Sequence, residues 1–249
     1  MTSLSEFIND ILLEALLETL YMITAPAILA TIIGFILAII LVVTKEDGLK
    51  PNSTINKSLG FIVNTLRSFP FMILIVVLIP LTRMIVGTSI GETAAVVPIT
   101  IGSAPFIARI IEGALNEVDK GLIEAAKSFG ATKSQIVFKV MIKEAMPSIV
   151  SGVTLSIISI LGYTAMAGAI GAGGLGSVAL VYGHQRFDTA VMIYTVITLI
   201  ILVQVIQGLG NFAYNRLKYG KNLKVKNHKI SVSNNDISVK TNTELNENV

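Results

Sequence analysis

The chain has 249 residues, of which 53% are hydrophobic and only 14% charged. A soluble globular domain carries about 25% charged residues, so this charge deficit points to lipid as the surrounding solvent. There is no cysteine, and only His184 and His228 could offer imidazole, which excludes a disulfide framework, a thiolate metal site and a histidine metal cluster.

Residues 1–19 contain Glu6, Asp10, Glu14 and Glu18 but no Lys or Arg. The positive n-region of a signal peptide is therefore missing, and this stretch reads as an amphipathic segment outside the membrane. Leu20–Val43 follows without a charge and is long enough to cross a bilayer. Further spans are predicted at 59–81, 94–111, 149–182 and 190–209, each a helix because backbone groups in lipid must be bonded within their own segment. Pro26, Pro70, Pro80, Pro98 and Pro105 are expected to kink or break these helices. The fold class read from this pattern is an all-α membrane protein with five transmembrane helices.

Lys and Arg mark cytoplasmic loops. They fall in the 45–58 loop, in the 109–146 segment and in the tail after residue 215, which alternate correctly with five spans. Of the 19 basic residues only Arg83 and Arg186 lie on the other side. The N-terminus is thus placed outside and the C-terminus in the cytosol. Residues 20–215 form the membrane domain. Residues 220–249, rich in Lys, Asn and Ser, lack apolar periodicity and are expected to be a disordered cytoplasmic tail.

The loop between the third and fourth spans is more regular than a linker. Leu122, Ala126 and Phe129 share one face of a short helix, Gly130 suits its C′ position, and Thr132 is placed to cap a second helix in which Ile136, Val137, Val140 and Met141 share a side. Pro147 fits the first turn of the next span. A stiff helix on the cytoplasmic surface suits mechanical coupling to a partner; an amphipathic helix lying on lipid fits the same pattern equally well.

Glu124-Ala125-Ala126, then Gly130, Ile142 and Pro147, resembles the EAA loop of ABC importer permeases, with Met146-Pro147 where that family commonly has Leu-Pro. Leu66–Phe71, Pro80–Gly91 and Gly162–Gly176 extend the likeness to the methionine-uptake permeases, from about residue 14 to 215. The resemblance implies that Glu124, Ala125, Ala126, Lys127, Phe129, Gly130 and Ala131 form a cytoplasmic coupling helix docking on an ATPase. It implies a permease homodimer, two cytoplasmic ABC ATPase subunits, a methionine-binding lipoprotein outside the cell membrane, and carriage of methionine of either hand and close derivatives. A permease of the same type for another small solute is the alternative.

Gly171, Gly173, Gly174 and Gly176 also spell G-x-G-x-x-G, but in a membrane segment without a preceding strand this is no nucleotide fingerprint. Close helix packing and an irregular backbone beside a translocation path both account for it. Tyr163 and Met166, three residues apart, share a face; with Gly168 and Gly171 they are the candidates for path or gate, and ordinary packing competes for all four. Arg67 and Arg109 are read as snorkelling to the cytoplasmic surface in preference to touching substrate. No phosphate-binding G-x-x-x-x-G-K-[ST] loop, acid–base pair, nucleophile constellation or metal spacing occurs, so no catalytic residue, metal or cofactor and no nucleic-acid partner is assigned, and energy is expected from another chain.

Overall fold

The computed structural model describes residues 11–246, with side chains as far as residue 218. Among the described residues the only regular secondary structure is helix, in nine elements: α1 (Leu13–Thr44), α2 (Ser53–Ser68), α3 (Phe71–Val77), α4 (Ile79–Val86), α5 (Glu92–Asn116), α6 (Lys120–Ser128), α7 (Lys133–Gly168), α8 (Gly174–Val178) and α9 (Thr189–Asn246). The predicted tail, 220–249, falls outside the described side chains, although helical backbone continues to Asn246.

Four helices, α1, α5, α7 and α9, are long and apolar enough to cross a membrane. Helix α1 packs most extensively on α5. The reason is a stripe of small residues, Ala30, Gly34 and Ala38, which lets the two backbones approach. A Cβ on Gly34 would lie 2.9 Å from Ile107 and 3.0 Å from the Ala104 carbonyl. Around this contact one half of the core closes, with Ile107, Ile111, Leu115, Ile136, Met141 and Ile149 buried. The opposite faces of α1 (Ile28, Ile32, Ile36) and α9 (Ile193, Ile197, Ile200) are exposed and entirely apolar, as a lipid contact requires.

Two predicted spans are not single helices. The 59–81 span breaks after Ser68, and α2 and α3 meet at 106°. Pro70 is the cause: it holds Phe69 in extended backbone (ψ 128°) and starts α3 afresh. The 149–182 stretch ends as a helix at Gly168, and α8 begins after a five-residue turn, 169–173; Gly171 and Gly173 in the turn and Gly174 at the start of α8 take φ of 93°, 85° and 75°. α8 runs on through a π-helical turn, Ala179–Gln185.

Other prolines break less than expected. Pro26 lies inside α1, and Pro98 and Pro105 inside α5. Pro147 does not begin a span but sits within α7, downstream of a π-helical turn at Ile136–Met141, so the short second loop helix and the fourth span are one continuous element. Within that first stretch Ile136, Val137 and Met141 are buried, and Val140 only half so.

Candidate functional site

Helix α6 is set by its ends. The Asp119 carboxylate accepts from Gly121 N at 2.7 Å and caps the first turn. At the other end Gly130 N donates to Lys127 O (2.9 Å) and Ala131 N to Ala126 O (3.0 Å), the paired bonds of a Schellman turn. Gly130 takes φ 75° there. Thr132 and Gln135 then form a reciprocal capping box that starts α7, with Thr132 N donating to Gln135 Oε1 at 2.8 Å.

No residue of α6 is buried. Ile123 and Ala126 rest half-buried against the core around Leu115 and Ile136, while Leu122 (44% exposed) and Phe129 (91%) face away. This corrects the face read from the sequence. At about 100° per residue Ala126 lies between Leu122 and Ile123 and rolls inward with the latter. Glu124, Ala125, Lys127 and Gly130 are exposed on the outer side, and Ala131 packs inward. The 45–49 loop braces the start of α6: Lys120 Nζ lies 3.0 Å from Asp47 Oδ2, and Lys45 lies 3.4 Å from the other carboxylate oxygen. Between loop and helix lies a cavity of about 280 Å³ reached by Lys127 and Glu124.

At the far end of α7 the glycines act by packing and by backbone geometry together. Gly168 is buried, and a Cβ there would stand 2.5 Å from Ser177 N; a Cβ on Gly176 would overlap the Ala165 backbone. These two let α8 fold back tightly on α7. The Gly171 carbonyl accepts from Gly91 N at 3.0 Å, joining the turn to the start of α5. Glu18 Oε2 accepts from Gly174 N at 2.5 Å and Thr19 Oγ1 from Leu175 N at 2.9 Å, so α1 caps α8.

The two side chains expected to act together differ in burial. Tyr163 is half-buried and stacks on Phe71, with ring centroids 4.2 Å apart and planes 16° from parallel. Met166 is 40% exposed and lies outside the cavity that Tyr163 lines.

The Arg109 guanidinium is held by protein groups: it pairs with Glu112 (2.7 Å), Asn64 (2.9 Å) and the Gly60 carbonyl (3.3 Å), binding α2 to α5. The i, i+3 spacing of Arg109 and Glu112 was visible in the sequence; Asn64 and Gly60 carried no signal. The Arg67 guanidinium lies over the Phe106 ring, 6.0 Å from its centre.

Residues 30–218 match the family described as binding-protein-dependent transport system inner membrane component. The chain is 48% identical over 211 residues to the probable D-methionine transport system permease protein MetI of Vibrio cholerae, covering 85% of this chain and 94% of that protein. It is 46% identical over 202 residues to the methionine import system permease protein MetP of Bacillus subtilis, with coverage of 81% and 91%. A solved chain of the MetNI methionine ABC transporter in an inward-facing conformation superposes with a TM-score of 0.83 at 42% identity, covering 87% of this chain and 99% of that one.

Proposed function

The chain belongs to the family of binding-protein-dependent transport system inner membrane components, and from that premise we propose that it is the permease subunit of an ATP-driven importer carrying methionine across the cytoplasmic membrane. The names and structure of its relatives support the substrate and the transporter class. The sequence holds no phosphate-binding loop, so ATP is hydrolysed by a partner subunit.

The observation that carries the mechanism is the continuity of α7. From its capped start beside the Gly130 turn to Gly168 it has 36 residues, a rod of about 54 Å. A displacement of α6 is therefore delivered to the glycine turn and α8 without an intervening hinge loop. Leu122 and Phe129, apolar and open to the cytosol, are the side chains a docking groove on an ATPase would cover. The segment from Glu124 to Ala131 is the coupling element, and closure of two ATPase subunits drives it.

The bent pair α2–α3 counts as the fifth span beside the four continuous ones, and basic residues concentrated in 45–58, 109–146 and the tail orient the N-terminus outward. The membrane domain is residues 20–215, and 220–249 is a cytoplasmic tail. A permease this small encloses a path by pairing with a second copy. Tyr163 and Met166 face that path, and Gly168 and Gly171 form the turn that moves with it. A methionine-binding protein delivers substrate from outside.

The test is uptake of labelled methionine by proteoliposomes holding the permease, its ATPase and the binding protein. ATP-dependent accumulation, competed by unlabelled methionine and not by leucine, is expected. Accumulation of an unrelated solute with no methionine uptake would refute the substrate; uptake without added ATPase would refute the energy source.

A further inference from the structure

We propose that Arg67 is a carboxylate-binding residue of the translocation path, the charged end of a station for the amino-acid substrate within the membrane. This rests on the transporter reading and adds to it a binding site at a named depth.

Arg67 closes the last turn of α2, immediately before the break at Pro70. Its guanidinium lies 6.0 Å from the centre of the Phe106 ring. Phe106 lies within the 94–111 span, five residues or about 7.5 Å from its cytoplasmic end. The charge therefore sits inside the membrane-spanning length of α5 and not at its cytoplasmic end. Among the described residues it meets no carboxylate and no hydrogen-bond acceptor, in contrast to Arg109, whose two terminal nitrogens are taken by Glu112, Asn64 and Gly60. Arg67 is nonetheless exposed. An unpaired guanidinium exposed at this depth cannot face hydrocarbon; it has to face water, and inside a permease that water is the path.

The guanidinium opens on a cavity of about 240 Å³ whose walls include Phe69, Phe71, Phe106 and Tyr163, with Gly102 at its floor. A Cβ at Gly102 would press on Leu74 (3.2 Å) and Phe71 (3.3 Å), so the glycine keeps the wall rings where they are. The chemistry suits one class of ligand. Guanidinium takes a carboxylate in a bidentate fork. Aromatic edges take a thioether, and their faces take an ammonium. The Tyr163 hydroxyl makes no hydrogen bond to the described residues and is available to the same ligand. A zwitterionic α-amino acid with an unbranched apolar side chain satisfies all of these groups at once.

The test uses the permease–ATPase complex in nanodiscs without the binding protein, and reads binding of radiolabelled methionine. Competitors are norleucine, which keeps the carboxylate, and methioninol, which lacks it. Norleucine is expected to compete and methioninol to be at least about tenfold weaker. Arg67→Gln is expected to weaken methionine about tenfold or more and to erase the difference between methionine and methioninol, while Arg67→Lys keeps part of that difference. Assembly of each variant is checked by its ATP turnover, and if Arg67→Gln does not assemble, the Arg67→Lys comparison decides. A variant that still prefers methionine over methioninol as the wild type does overturns the proposal. So does a wild-type complex that binds neither ligand at millimolar concentration. If full proteoliposomes still import methionine in either case, only the station is lost; if they do not, the transporter reading falls with it.

Discussion

Glu18 and Gly174, 156 positions apart, meet in a hydrogen bond of 2.5 Å from the glycine N–H to the carboxylate. The neighbouring pair, Leu175 N to Thr19 Oγ1, repeats the contact at 2.9 Å. Together they clip the N-terminal part of α1 to the start of α8, the segment that follows the glycine turn. The clip also explains Gly173: at φ 85° its Cβ would stand 2.5 Å from Glu18 Oε2.

Glu18→Ala is therefore expected to lower stability by about 1–3 kcal/mol, the range for loss of a charged acceptor from a partly buried donor. Gly173→Ala is expected to cost at least as much, from the strained φ and the clash together. In the double variant the clash is gone, so the two losses should add to less than their sum. Thermal unfolding in detergent, monitored for all three variants, measures the coupling; strict additivity would show that the clip does not constrain Gly173.

Gly130 has open space where a Cβ would go but a φ of 75°. Only backbone strain opposes a side chain there. Gly130→Val is expected to cost about 1–3 kcal/mol locally and to loosen the turn between α6 and α7, whereas Gly130→Asn, which tolerates this region, should be mild. The check is substrate-stimulated ATP turnover in the assembled complex, which should fall for valine far more than for asparagine.

Phe129 is 91% exposed, so its removal leaves the isolated permease almost untouched. Phe129→Ala should shift the permease's own unfolding by no more than about 0.5 kcal/mol. Its affinity for the ATPase should fall by more than about 1 kcal/mol if the ring is an interface anchor. Titration of the ATPase onto immobilised permease separates the two effects.

The Asp47 carboxyl is held below its ordinary value, first by the hydrogen bond from Lys120, then by that from Lys45 and by the charge of both ammonium groups. A lowered folded-state value means that the bridge contributes fully above the ordinary carboxylate range and is lost as pH falls through the lowered value. From about pH 8 to about pH 5 the brace on α6 should accordingly be constant. Asp47→Asn should remove it at every pH in that interval. Amide protection of residues 120–124, corrected for intrinsic exchange, is expected to be flat with pH in the native chain and lower in the variant; a native chain whose protection falls across that interval would exclude the ion pair as the brace.

Much of this was legible along the chain. Uncharged runs long enough for lipid marked α1, the later part of α7 and α9, and the loop's cap residues Gly130 and Thr132 do what their types imply. Proline was a poorer guide. Pro70 ends a helix because the residue before it is forced into extended backbone, yet Pro26, Pro98, Pro105 and Pro147 stay inside helices whose neighbours supply the packing. The side of α6 occupied by Ala126 could not be read either, since a residue on the rim of an amphipathic face turns toward whichever neighbour buries it.

Hydrophobicity and charge placement, properties additive along a chain, determined by themselves that this protein lives in a bilayer and which loops carry its positive charge. The tertiary structure alone decided that Arg67 stands over Phe106, that Arg109 is spent on Glu112 and Asn64, and that Glu18 reaches Gly174. Each of these depends on where a break in one helix falls against the middle of another, and such a distance between sequence-remote groups is created only when the helices pack.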